Sequence, residues 1–277
     1  MTQAADWTGR IGDVWAQEWQ RTDRSFAALT PHLDAAILAA APSHAFRALD
    51  IGCGAGATAH ALATARGDAD VIGADLSEGL IAVARSRPPL PNLRFVVCDA
   101  TAAAATPVDL YVSRHGVMFF DDPEAAFARL ARAAAPGAAL VFSCFAERRA
   151  NRFAADLLDA LGRDGDAPAG DDPGPFAFAD PMRVAAMLTA AGWQAAPPAR
   201  VDFGYRAGEG AAAVADAVAF FHRIGSVAGL LRDAPISARA GMERGIEAAC
   251  ARRLNDGAVD FPAAAWIWSA TKPGSAL

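Results

Sequence analysis

Lysine is almost missing from this 277-residue chain, Lys272 being the only one. No glycine run precedes it, which removes the phosphate-cradling loop that ends in Gly-Lys-Ser or Gly-Lys-Thr. Positive charge is therefore carried by arginine, and 25 Lys+Arg against 31 Asp+Glu leave a net charge of −6. Arginines come together only as the pairs Arg148–Arg149 and Arg252–Arg253, so no basic run marks a nucleic-acid footprint. Cysteine is sparse as well. Cys53, Cys98, Cys144 and Cys250 are scattered without a CxxC spacing, which argues against a disulfide framework and against a zinc site. Cys98 and Cys144 lie in apolar runs and read as small buried hydrophobes. No apolar run reaches membrane length, and Asp6, Arg10 and Asp13 break up the first residues, so no signal segment is expected. The expectation is a cytoplasmic chain without a metal, a membrane or a nucleic-acid partner. Hydrophobic residues at 53% and charged residues at 20% give the balance of a globular protein, and the length suits one large domain.

From about residue 46 to residue 145, apolar runs alternate with amphipathic stretches. Phe46–Ile51, Val71–Ala74, Leu93–Cys98, Leu110–Ser113 and Ala138–Phe145 read as short strands, with helical patterns between them. This rhythm predicts an α/β fold with a mostly parallel sheet covered on both faces. Ser77 caps a helix over Glu78–Arg85, and Asp122–Pro123 starts another that Pro136–Gly137 stops. Asp180–Pro181 repeats the device, with Gly192 closing that helix. The Asp-, Gly- and Pro-rich stretch 162–180 reads as a long loop, either a plain connection or a lid. Ala199–Tyr205 and Ala264–Thr271 are further strands, and residues 208–256 look mostly helical. Ahead of the sheet, Ile11, Trp15, Trp19, Phe26 and Leu29 recur near helical spacing. That stripe suits core packing, although a helical flap over a ligand would share the pattern.

The chemistry-bearing residues gather at predicted strand ends. Leu49-Asp50-Ile51-Gly52-Cys53-Gly54-Ala55-Gly56 closes the first strand and opens a helix, and its alternating glycines let a nucleotide-like group approach the backbone. Asp75, followed by Leu76, ends the second strand, where a carboxylate can accept hydrogen bonds from ribose hydroxyls. Asp99, followed by Ala100, ends the third strand and suits the exocyclic amine of an adenine. Ser113, Arg114 and His115 follow the fourth strand, near a reacting centre, and His115 is a candidate general base or a neutral wall residue. Asp50 lies where a dinucleotide would place its diphosphate. A carboxylate there repels that group but attracts the ammonium and sulfonium of S-adenosylmethionine.

Together these residues resemble the class I S-adenosylmethionine-dependent methyltransferases. Asp50–Gly56 looks like the family's first motif, Asp75 like its ribose acid and Asp99 like its adenine-side acid. Ser113-Arg114-His115-Gly116-Val117-Met118-Phe119-Phe120 is similar to a bacterial branch related to the quinone-biosynthesis C-methyltransferases. Ala135-Pro136-Gly137-Ala138 resembles the turn before the fifth strand, with Ala138 where many members have a second glycine. Trp15-Ala16-Gln17 with Asp23 looks like the helix ahead of the cofactor domain, and 257–266 like the lead-in to the final strand. The resemblance implies a Rossmann-like seven-stranded, mostly parallel sheet of order 3-2-1-4-5-7-6 with an antiparallel last strand. Residues 1–35 would be a helical flap, 36–205 and 257–277 the cofactor core, and 206–256 a helical cap inserted before the last strand. It also implies methyl transfer from S-adenosylmethionine to a small molecule, with S-adenosylhomocysteine as product, by a monomer or homodimer. The cofactor residues expected are Trp15, Asp50, Gly52, Cys53, Gly54, Asp75, Leu76, Asp99, Ala100, Ser113 and His115. Phe119, Phe120 and Phe221 suggest a partly apolar substrate held between flap and cap.

Two other readings compete. An NAD(P)-dependent oxidoreductase would use Gly52–Ala57 as its glycine turn, but Asp50 opposes it. The Tyr-x-x-x-Lys pair of short-chain reductases is missing too, since Tyr111 leads to His115 and Tyr205 to Glu209. A non-catalytic S-adenosylmethionine-binding module would carry the same cofactor motifs, and the helical insertion speaks for a closed substrate pocket instead.

Overall fold

The protein is described from a computed structural model that covers residues 4–103, 107–167 and 172–274. Four helices come first: α1 (Ala4–Trp7), α2 (Arg10–Gln17), α3 (Trp19–Ser25) and α4 (Thr30–Ala40). The alternating unit follows as β1 (Arg47–Ile51), α5 (Ala57–Ala65), β2 (Asp70–Asp75), α6 (Glu78–Arg85), β3 (Leu93–Val97), β4 (Val108–Arg114), α7 (Pro123–Ala133) and β5 (Ala134–Phe145). The caps read from sequence form: Ser77, Asp122 and Asp180 each accept a backbone N–H of the helix they start. After β5 come α8 (Arg152–Ala160), α9 (Pro181–Ala190), β6 (Gln194–Ala195), β7 (Ala199–Glu209), α10 (Ala213–Phe221), α11 (Ser226–Asp233), α12 (Ile236–Ala251), β8 (Leu254–Asn255) and β9 (Ala258–Thr271).

The sheet runs β3-β2-β1-β4-β5-β9-β6, parallel through β5, with β9 antiparallel to it. This is the expected order, with β9 as the seventh strand and β6 and β7 sharing the place of the sixth. The described residues form nine strands rather than seven, for two local reasons. Pro197 and Pro198 cannot donate to a ladder, so they divide the sixth strand into β6 and β7, both paired to β9. Asp256 and Gly257, with φ of 47° and 73°, make the two-residue turn that folds β8 back on β9. The last strand accordingly begins at Ala258, six residues before the expected start.

Both faces of the sheet are covered. Phe142 of β5 is fully buried, with rings of Phe127, Phe178 and Trp268 at 5.8, 6.3 and 6.2 Å. Trp193 Nε1 donates to the Phe127 carbonyl at 3.0 Å, which satisfies the polar edge of a buried indole. The helical insertion packs on the β7–β9 side: Phe221 lies against Phe261 at 5.6 Å, and Arg253 reaches from beyond α12 to Asp156 of α8 at 2.5 Å. Asp216 of α10 also binds Arg21 (2.8 Å) and Arg24 (2.7 Å) of α3. The stretch 162–180 is a packed connection among its described residues. Phe176 and Phe178 are buried, and Gly174 N–H donates to the Met118 carbonyl at 3.1 Å.

Phe142→Ala is expected to destabilise the fold by about 3–5 kcal/mol, the cost of an aromatic-sized hole in a close-packed core. Urea unfolding reads this as a lower midpoint with an unchanged slope, and an unmoved midpoint would contradict the packing role.

Candidate functional site

The glycine turn sits at the carboxyl end of β1. Gly52, Gly54 and Gly56 have φ of 60°, 53° and 79°, a region that side-chain-bearing residues enter at a cost. At Gly56 a Cβ would lie 2.6 Å from Phe95 Cζ and 2.9 Å from Ala84 Cβ, whereas at Gly54 it would meet nothing within 4 Å. The turn is thus packed on one side and open on the other.

The open side borders a cavity of about 370 Å³ along the carboxyl ends of β1, β2, β3 and β4, the edge at which open α/β sheets take ligands. Its volume lies in the lower part of the range for small-molecule pockets. Asp75 stands at the tip of β2, where Oδ2 accepts Gly54 N–H at 2.9 Å and Oδ1 accepts Ser77 N–H at 2.8 Å. A carboxylate has about four acceptor positions, so capacity remains on both oxygens. Burial raises its pKa against those N–H groups. Leu76 borders the cavity beside it, and Asp99 and Ala100 do so from beyond β3, with Asp99 Oδ1 taking Thr101 N–H at 2.8 Å. Cys53 is buried in the turn, and burial pushes its thiol pKa well up, which makes it a packed neutral wall.

Asp50 is buried at the end of β1. Oδ2 accepts Ala59 N–H at 3.0 Å, and Oδ1 has no partner among the described residues. Burial pushes its pKa up to about 7, opposed by Arg114 and the Ala59 N–H and reinforced by Asp75. His115 takes a left-handed φ of 59°, an unusual conformation for a side-chain-bearing residue. Its ring lies 4.6 Å from Phe26 and 4.3 Å from Phe145, and Nδ1 is 2.9 Å from Ser143 Oγ. Burial first, and then Arg114, push its pKa down to about 3, so the imidazole is neutral. Its Nε2 has no partner.

Among the described residues, four buried polar atoms without partners belong to cavity-lining side chains: Asp50 Oδ1, His115 Nε2, Thr22 Oγ1 and Trp7 Nε1. Buried polar atoms are rarely left unpaired, and their concentration here marks a place built for a polar guest.

The first helices form the roof. Trp15 borders the cavity, with Trp7 at 5.7 Å, and Trp7 meets Phe119 edge-on at 5.0 Å. Trp19 lies under the Arg87 guanidinium at 5.2 Å. Asp23 joins roof to floor by pairing with Arg87 at 2.6 Å and Arg114 at 2.5 Å. Of the expected cofactor residues, Trp15, Asp50, Gly52, Cys53, Gly54, Asp75, Leu76, Asp99, Ala100 and His115 share this one cavity.

Three expectations need correction. Ser113 does not line the cavity, because its hydroxyl faces inward, donating to the Ile51 carbonyl at 2.7 Å and accepting Gly116 N–H at 3.2 Å. Phe221 is a core residue, and the described residues that line the cavity all precede position 130, so none of them comes from the helical insertion. The aromatic stripe serves both purposes: Leu29 is core, whereas Trp15, Trp19 and Phe26 border the cavity. Thr22, Asp23, Arg129 and Trp7 were missed as lining residues. Their local pattern is that of any amphipathic helix, and only the tertiary approach of α1–α3 and α7 gives them meaning.

Comparison with known proteins agrees with this geometry. Residues 49–142 match the family described as a methyltransferase domain. The match runs from β1 into β5, and the sheet order is the one that the resemblance to the class I S-adenosylmethionine-dependent methyltransferases implies. The chain is 38% identical over 137 residues to the trans-aconitate 2-methyltransferase of Variovorax paradoxus (strain S110), a match covering 49% of this chain and 48% of that protein. It therefore spans about half the length of that relative. Among solved structures, the YcgJ protein of Bacillus subtilis superposes with a TM-score of 0.55 at 18% identity, over 88% of this chain and 98% of that one. Phosphoethanolamine N-methyltransferase 2 of Haemonchus contortus, in complex with S-adenosyl-L-methionine, gives 0.53 at 17% identity, over 99% of this chain and 60% of that one. At these identities the structural likenesses concern the fold.

The raised Asp50 carboxyl has a measurable consequence. An ordinary aspartate ionises near 3.8 and folded Asp50 near 7. Between those values the folded chain holds a proton that the unfolded chain has lost, so this group's contribution to stability falls as pH rises and is least favourable above 7. Asp50→Asn is expected to gain stability over the wild type at pH 8 and to lose that gain toward pH 4. Paired urea melts across this range check it, and a pH-independent difference would contradict the assignment.

Proposed function

We propose that the chain transfers a methyl group from S-adenosylmethionine to a nucleophilic atom of a small, partly apolar molecule, with S-adenosylhomocysteine as the second product. The observation that carries this reading is the unpartnered Oδ1 of Asp50, buried at the head of an open glycine turn in line with Asp75 and Asp99. A desolvated carboxylate oxygen suits a cationic guest and repels a diphosphate, which favours the sulfonium nucleoside over NAD.

In this reading Gly52, Cys53 and Gly54 offer backbone to the donor's amino-acid end, and Asp50 faces its ammonium. Asp75 takes the ribose hydroxyls on its spare lone pairs. Leu76 and Ala100 flank the base, and Asp99 accepts its amine. Trp15, with Trp7 and Trp19, covers the site from residues 1–35, the flap of a single domain whose core is 36–205 with 257–277. When bound, S-adenosylmethionine supplies a methyl group already activated on sulfur, so this reading calls for no metal. The protein's own part is to align the acceptor and exclude water. Phe119 and Phe120 give the acceptor side apolar walls.

Titration calorimetry separates the readings. S-adenosylmethionine and S-adenosylhomocysteine are expected to bind and NAD is not. Asp75→Ala is expected to weaken binding by about tenfold or more, the worth of hydrogen bonds to a charged group. NAD uptake, or Asp75→Ala binding like the wild type, would overturn the assignment. Trp15→Ala is expected to speed release of S-adenosylhomocysteine in stopped-flow fluorescence, and an unchanged off-rate would remove the flap from the reading.

A further inference from the structure

The acceptor side of the cavity holds a cluster that the cofactor reading leaves unused. Phe26 is its centre. The His115 ring lies 4.6 Å from the Phe26 ring, the Arg114 guanidinium carbon lies 5.4 Å from its centroid, and Thr22 precedes it by one helical turn. His115 Nε2 and Thr22 Oγ1 are both buried without partners.

Hydrogen-bond counting fixes what His115 can offer. Ser143 is fully buried, and its hydroxyl has one partner among the described residues, His115 Nδ1 at 2.9 Å. Were Nδ1 protonated, it would donate to Ser143 Oγ and leave the serine proton with no acceptor in a buried place, which is costly. With the serine as donor, Nδ1 accepts and the single ring proton sits on Nε2. An Nε2–H has no lone pair with which to remove a proton, so the general-base role considered for His115 is lost. What remains is a neutral donor against the rings of Phe26 and Phe145, in a cavity that the Thr22 hydroxyl and the Arg114 guanidinium also line.

We propose that His115 Nε2–H, Thr22 Oγ1–H and Arg114 form a subsite for an ionised oxygen group, a carboxylate, on the acceptor molecule, with Ser143 as the positioning residue that sets the imidazole tautomer. The subsite rests on the methyl-transfer reading of the cavity. Charge supports it. Arg114 pairs with Asp23 through Nη2, Asp23 is matched by Arg87 as well, and a guanidinium has five N–H donors, so it can serve a second anion while its charge also acts on Asp50 and Asp34. A carboxylate also has no need of His115 as a base, since it arrives ionised. One oxygen rests on the donors while the other attacks. Its lone pair forms the new oxygen–carbon bond as the carbon–sulfur bond breaks and that pair returns to sulfur. No proton has to leave.

Nitrogen-15 NMR of the histidine rings tests this without an assigned substrate. In the full-length protein His115 should show protonated Nε2 and bare Nδ1, unchanged from pH 6 to pH 8. A protonated Nδ1, or an imidazolium in that range, overturns the proposal. Ser143→Ala should mix the tautomers while leaving the fold intact by circular dichroism, and an unmixed ring removes Ser143 from its role. With S-adenosylhomocysteine saturating, benzoate is the probe. It should shift the Nε2 signal saturably, with benzamide at least tenfold weaker and Thr22→Val about tenfold weaker for benzoate. No shift, or equal binding of benzoate and benzamide, refutes the carboxylate subsite. Failure of S-adenosylhomocysteine itself to bind would instead count against the cofactor reading, because the tautomer is measured without it.

Discussion

The site depends on the close approach of two strand tips. Ser113 at the end of β4 gives its hydroxyl proton to the Ile51 carbonyl at the end of β1 and takes the Gly116 N–H on the same oxygen. A Cβ at Gly116 would stand 2.6 Å from the Ile51 carbonyl oxygen, closer than atoms can pack, so the junction needs glycine there. This clamp sets the distance between the glycine turn and the His115 segment, and hence the width of the crevice. It also sends the chain into the left-handed turn at His115 that puts the imidazole against Phe26 and Phe145. A serine expected to touch the ligand instead holds the two walls that would.

Charges of both signs meet in the cavity. Asp50, Asp75 and Asp99 border it near the glycine turn, and burial holds the first of them at the edge of ionisation against the pull of Arg114. Arg114 itself is paired with Asp23, and His115 Nε2 is unpartnered among the described residues. The apolar surroundings that make each of these groups expensive when empty also strengthen whatever complementary charge arrives.

Much of this was legible in the sequence, and the reasons are local. The parallel strands announced themselves because strands buried on both faces read as apolar runs, and the caps at Ser77, Asp122 and Asp180 because a polar side chain must satisfy the first N–H groups of a helix. The glycine turn and the acids after β2 and β3 were legible for the same reason: each is tied to a strand end that the pattern already marks. The division of the sixth strand followed from Pro197–Pro198, a signal present but unused. What escaped was long-range. Nothing around Asp23 in the chain says that Arg87 and Arg114 will flank it. Nothing around Ser113 says whether its hydroxyl turns toward the crevice or the neighbouring strand. The helical insertion was misjudged because an apolar helix face looks alike whether it covers a ligand or a sheet edge, and here Phe221 covers the sheet against Phe261.

The antiparallel last strand has a consequence for how the molecule is made. Every described residue that borders the cavity belongs to the first half of the chain, yet β5 gains its outer neighbour only when β9 emerges, after the whole insertion. At ordinary rates of synthesis that interval is on the order of ten seconds. Throughout it, the newborn sheet presents the edge of β5, with Leu140, Val141 and Phe142 in a row, as an unpaired template for a neighbouring copy. The unpaired edge therefore persists after every described cavity-lining residue has been made, which is when the fold is most open to edge-to-edge association.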